Sequence, residues 1–119
     1  MLFLAISNPR PERPSDFAGQ RQSFWSWIAK YEASGMCRHI YPRVGRGAMA
    51  VFDVDSNETL HRILTEWADI IPAEFDTYPL VDVEAAKRLL ASQVAALATA
   101  GLEGAEASGD ELVAPSREG

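Results

Sequence analysis

GMCRHIYPRVGRGAMAVFDVDSNETLHRIL, residues 35–64, reads as two short strands, a glycine turn and the opening of a helix. Residues 36–44 and 48–54 carry strand-forming side chains, and Gly45-Arg46-Gly47 between them supplies the turn, so a hairpin is expected. Pro42 cannot donate to a ladder, which argues for an edge strand or a bulge. Asp55 and Glu58 stand at capping-box spacing. Beyond them Leu60, Ile63, Leu64, Trp67 and Ile71 recur at helical intervals, and Pro72 ends the run.

Working outward from this stretch, residues 2–7 alternate Leu2, Leu4 and Ile6 against Phe3, Ala5 and Ser7. Both faces are largely apolar, as a central strand requires. Pro9, Pro11 and Pro14 then force an extended loop. Ser15 is the expected N-cap of a first helix that ends at Gly35, with Phe17, Phe24, Trp27, Ile28 and Tyr31 as its buried stripe and Trp25 off it. Residues 73–82 read as a fourth strand, with Glu74, Asp76 and Tyr78 on one face. Residues 83–100 read as a third helix with a narrow stripe of Ala86, Leu89, Leu90, Val94 and Leu97.

The order β-α-β-β-α-β-α predicts an α+β fold, a ferredoxin-like βαββαβ unit with an antiparallel four-stranded sheet and an extra C-terminal helix. One domain over residues 1–100 is expected, followed by a disordered acidic tail over 101–119. Both crossover helices lie on one sheet face in such a unit. The other face is left bare, which predicts a homodimer or a larger homo-oligomer.

The chain has 119 residues and a net charge of −6. Five acids and one arginine fall in residues 101–119, so the body carries only −2. That balance speaks against nucleic acid as a partner, since phosphate neutralisation needs a basic face. No apolar run is long enough to span a bilayer, and MLFLAIS reads as a strand instead of a signal peptide, so no membrane partner is expected. The single cysteine, Cys37, excludes an internal disulfide and makes a cytoplasmic setting the default. His39 and His61 stand far apart with no ligand cluster around them, so neither a metal nor a cofactor is expected.

Residues 33–52 contain no Asp or Glu but hold Arg38, His39, Arg43 and Arg46. Period-2 alternation puts Cys37, His39, Tyr41 and Arg43 on one face of the second strand, with Arg38 and Ile40 on the other. If Pro42 marks a bulge, Arg43 changes sides. Arginine grips a carboxylate in fork geometry, histidine moves protons near neutral pH, and a tyrosine hydroxyl can donate to a developing enolate. Arg38 and Arg43 are therefore candidates for binding a small anionic substrate, with His39 and Tyr41 as the catalytic pair. Trp25 is a candidate pocket wall, and His61, on the flank of the second helix's stripe, a candidate substrate contact. The plain alternative is a solvated edge strand with ordinary surface arginines.

The opening MLF, the Gly35-x-x-Arg38-His39 stretch, Arg43, Gly45, Val51-Phe52-Asp53-Val54 and Leu60-His61 occur in an order that resembles muconolactone delta-isomerase. The resemblance covers roughly residues 1–82. It implies a dimeric α+β barrel and a cofactor-independent isomerase that shifts a double bond in a small unsaturated carboxylated lactone. Helix 1 departs from that family's pattern: Gln22-Ser23-Phe24-Trp25-Ser26-Trp27 stands where the family carries carboxylates, which implies a more apolar pocket. Two other readings stay open on the same scaffold, a non-catalytic ligand-binding or assembly protein and a cofactor-independent oxygenase or cyclase.

Overall fold

The computed structural model describes residues 1–103. These fall into two units, Met1–Val81 and a segment that begins at Asp82. The first contains strands β1 (Leu2–Pro9), β2 (Cys37–Pro42), β3 (Ala48–Asp53) and β4 (Ala73–Leu80), and helices α1 (Ala18–Ser34) and α2 (Asn57–Ile70). The second contains α3 (Val83–Glu103).

The strands form one four-stranded sheet in the order β2-β3-β1-β4, with every neighbouring pair antiparallel. This is the ferredoxin-like βαββαβ arrangement. Helices α1 and α2 cover the face that carries Ala5, Ala50, Phe52 and Cys37, all buried. Phe24 and Ile28 of α1 and Leu60, Ile63 and Trp67 of α2 complete that core. Trp67 is its centre: its ring lies 4.8 Å from Phe24 and 5.1 Å from Phe75, centroid to centroid. Truncating such a side chain to alanine costs about 3–5 kcal/mol.

The opposite face carries a different set. Leu4 pairs with Val51 and Tyr78, and Val51 pairs in turn with His39. Ile6 pairs with Met49 and Asp76, and Met49 pairs with Tyr41. Cross-strand partners share a face. This face is therefore apolar along β1 and β3 and polar along β2 and β4.

Several local expectations are corrected. Cys37 and His39 do not share a face. The register of β2 on β3 slips between them, so Cys37 pairs with buried Phe52 and His39 with Val51, leaving Arg38 as the extra residue of a bulge. The bulge sits there and not at Pro42, which ends the strand. The first helix starts later than Ser15, because Pro14–Phe17 forms a 3-10 turn ahead of Ala18. It stops at Gly35, whose φ of 86° is the left-handed cap conformation. The cap of α2 is Ser56, not Asp55: the Thr59 N–H donates to Ser56 Oγ at 3.1 Å, and the Thr59 hydroxyl donates to Asp55 at 2.6 Å. Accepting from the Thr59 hydroxyl first, and then from the Ser56 hydroxyl, holds the Asp55 carboxyl below the usual range.

Leu89, Leu90, Val94 and Leu97 of α3 are exposed. The acidic tail expected over 101–119 lies outside the described residues from 104 onward, and its first three residues belong to α3. No helix among the described residues is long and apolar enough to cross a membrane.

Candidate functional site

At the end of the sheet where β1 finishes and β3 begins, the core face does not close. The Pro-rich loop after β1 swings away, and Arg10 N–H donates to the Pro72 carbonyl at 3.3 Å, tying loop to α2 exit. The hairpin turn between β2 and β3 is closed by Arg43 N–H on the Gly47 carbonyl at 2.9 Å. Between these two segments and the start of α1 lies a cavity of about 240 Å³.

Its apolar walls are Phe17 just ahead of α1, Phe24 and Trp25 in α1, Trp67 in α2 and Ile71 just after it, and Pro9, Pro14, Pro42 and Pro72 from the strand ends and loops. Trp25 is 44% exposed because it stands at the opening and not in the core, and its ring meets Phe24 edge-on at 5.2 Å. The polar lining is lopsided. Arg10, Arg21, Arg43 and Arg46 face it with one carboxylate, Glu12. Arg43 is held in place, with Nη1 donating to the Ser7 carbonyl at 2.9 Å and to Asn8 Oδ1 at 3.1 Å.

Ser7 also lines the cavity and is the buried polar residue of the core, 2% exposed. The Ala48 N–H donates to its Oγ at 2.9 Å. Gly47 presses against it. A Cβ at Gly47 would stand 2.5 Å from the Ser7 carbonyl oxygen and 3.1 Å from its Oγ, and the φ of +85° already disfavours a side chain. A glycine there lets the turn approach β1 at Ser7.

Of the residues singled out from the sequence, the cavity brings together Arg43 and Trp25. His39 and Tyr41 lie on the opposite sheet face, ring planes 6° apart and centroids 6.5 Å apart, and Tyr41 is 61% exposed. Arg38, in the bulge, donates to the Asp53 carboxylate and, as the first cause, holds that carboxyl below its usual range. His61 is exposed on α2, away from the cavity. Arg10, Arg21, Arg46, Glu12 and Ser7 were not singled out as site residues. Arg46 stood in the acid-free stretch, and the alternation of β1 put Ser7 on the same face as Ala5, so a polar residue on a core-facing position was the available signal. Nothing in one-dimensional spacing joins Arg10 and Arg21 to the hairpin turn. Among the described residues, no group of three His, Cys, Asp or Glu side chains is placed to hold a metal ion.

A family model described as "Domain of unknown function (DUF3303)" matches residues 1–94. The chain belongs to that family. The match spans the whole sheet, both core helices and the first half of α3, so the cavity lies entirely within the DUF3303 domain. No curated protein matches this DUF3303 chain.

Proposed function

We propose that the domain binds a small anionic, unsaturated ligand in the cavity between the Pro-rich loop, the start of α1 and the β2–β3 turn. The observation that carries this is the lining of an aromatic-walled cavity by four arginines and one glutamate, in a chain of net charge −6. Guanidinium forks recognise carboxylates bidentately, and Trp25 at the opening, with Phe17 among the lining residues, offers apolar surface to a flat hydrocarbon. A volume of about 240 Å³ falls just below the roughly 300–1,000 Å³ of pockets for drug-sized ligands and suits a single ring. Titration of tryptophan fluorescence with benzoate tests it. Saturable quenching that weakens with salt is expected, with at least a tenfold weaker dissociation constant in Arg46→Gln. Equal binding by Arg46→Gln and the parent would overturn the assignment of the cavity.

The second reading is catalytic: a cofactor-independent isomerase of the muconolactone delta-isomerase type, with His39 and Tyr41 moving the proton. Its support is the ordered His39–Tyr41 stack at the rim of the apolar sheet face. A second copy packed on that face would enclose both rings, so this reading requires a homodimer and a cytoplasmic carboxylated metabolite. Muconolactone incubated with the protein in deuterated water tests it by NMR. Solvent deuterium entering the lactone in the parent but not in His39→Ala supports it. Equal exchange in both removes His39 from the mechanism.

A further inference from the structure

Among the described residues Ser7 is the one buried polar side chain, and its hydroxyl is only half used. Oγ accepts from the Ala48 N–H at 2.9 Å, while its own proton has no acceptor among the described residues. Buried hydroxyls left without an acceptor are uncommon, because the lost hydrogen bond to water is not replaced. This one lines the cavity. Gly47 stands where any side chain would crowd it, 3.1 Å from Oγ. Two nearby acceptors, the Ser7 carbonyl and Asn8 Oδ1, each accept from Arg43.

We propose that Ser7 is a specificity-determining residue of the cavity, whose hydroxyl donates to a neutral oxygen acceptor at the buried end of a ligand that presents its carboxylate to the arginines. The inference rests on the anion-binding reading of the cavity and adds the second recognition point. The ligand is thereby a single-ring carboxylate that carries, besides the carboxylate, a carbonyl or comparable neutral oxygen. A hydrocarbon group in that place would leave the hydroxyl unpaired, which is the penalty that makes such sites selective.

The test uses a matched pair of probes, 4-acetylbenzoate and 4-isopropenylbenzoate, which have nearly the same shape and differ in the acceptor. Dissociation constants are measured by tryptophan fluorescence on the full chain. The parent is expected to prefer 4-acetylbenzoate by about fivefold or more. Ser7→Ala is expected to bring the ratio to about one, and Ser7→Thr, which keeps the hydroxyl, to restore it. The ratio within each variant is insensitive to stability lost with the Ala48 hydrogen bond. Binding of both probes by the parent without preference overturns the role of Ser7 and leaves the anion site standing. A preference that survives in Ser7→Ala also overturns it. If neither these probes nor benzoate binds, the anion-binding reading itself falls. Should Ser7→Ala not fold, the parent ratio alone decides.

Discussion

At the scale of single residues, two positions show how backbone geometry sets chemistry. Gly47 is required twice, by its positive φ and by the Ser7 carbonyl that a Cβ would meet at 2.5 Å. Because the obstacle is backbone of the central strand, it cannot swing aside. Gly47→Ala is expected to lower stability by about 2 kcal/mol or more, seen as a lower urea midpoint with an unchanged slope. Cys37 is the other case. It is buried, and desolvation, followed by the charge of Glu32, pushes its thiol up to about 11. A neutral buried thiol is a poor nucleophile. In the native protein Cys37 is expected to resist a disulfide reagent at pH 8 and to react only at the rate of unfolding.

At the scale of elements, α1 and α2 are pinned by one carboxylate. Glu66 Oε1 accepts from Trp27 Nε1 at 2.9 Å and from the Tyr31 hydroxyl at 2.7 Å. Tyr31 and then Trp27 hold the Glu66 carboxyl below its usual range. Burial, and then the Glu66 contact, push the Tyr31 hydroxyl up. The signs follow from linkage. The Glu66 contribution is present above the ordinary carboxylate range and is lost as pH falls through the depressed folded value. The Tyr31 contribution is present below the ordinary phenol range and is lost as pH rises through the raised folded value. Melting temperature against pH is expected to fall at both ends in the parent, with a shallower acid limb in Glu66→Gln and a shallower alkaline limb in Tyr31→Phe. The elements themselves were legible, since apolar spacing alone marks α2 and glycine alone ends α1. The sides of β2 were not. Alternation presumes an unbroken ladder, and one unpaired residue at Arg38 inverts the relation between Cys37 and His39. The candidate site was legible only as local positive charge. Its walls come from residues 9–25, the β2–β3 turn and the exit of α2, three stretches that the sequence keeps apart.

At the scale of the molecule, the two sheet faces have unlike fates. One is sealed by α1 and α2 over Trp67 and Phe52. The other presents Leu4, Ile6, Met49 and Val51 in adjacent cross-strand pairs, bordered by His39, Tyr41, Asp76 and Tyr78. The homodimer required by the catalytic reading would bury that apolar middle. Leu4→Lys places a charge at its centre without touching the cavity. If the dimer forms there, the parent sediments as a dimer and Leu4→Lys as a folded monomer, with benzoate binding retained. A monomeric parent removes the dimer and, with it, the enclosure of His39 and Tyr41.

The bulge at Arg38 has a consequence for insertions and deletions. Losing one residue from inside a strand ordinarily turns every side chain beyond it to the wrong side. Here the supernumerary residue is the one that can go. With Arg38 deleted, Cys37 and His39 become consecutive, and they already pair with the consecutive Phe52 and Val51. Cys37 stays inside, His39 stays outside, and the strand becomes regular. The fold would forfeit the ion pair with Asp53 and little else, so β2 holds a position where a whole codon is dispensable to the architecture.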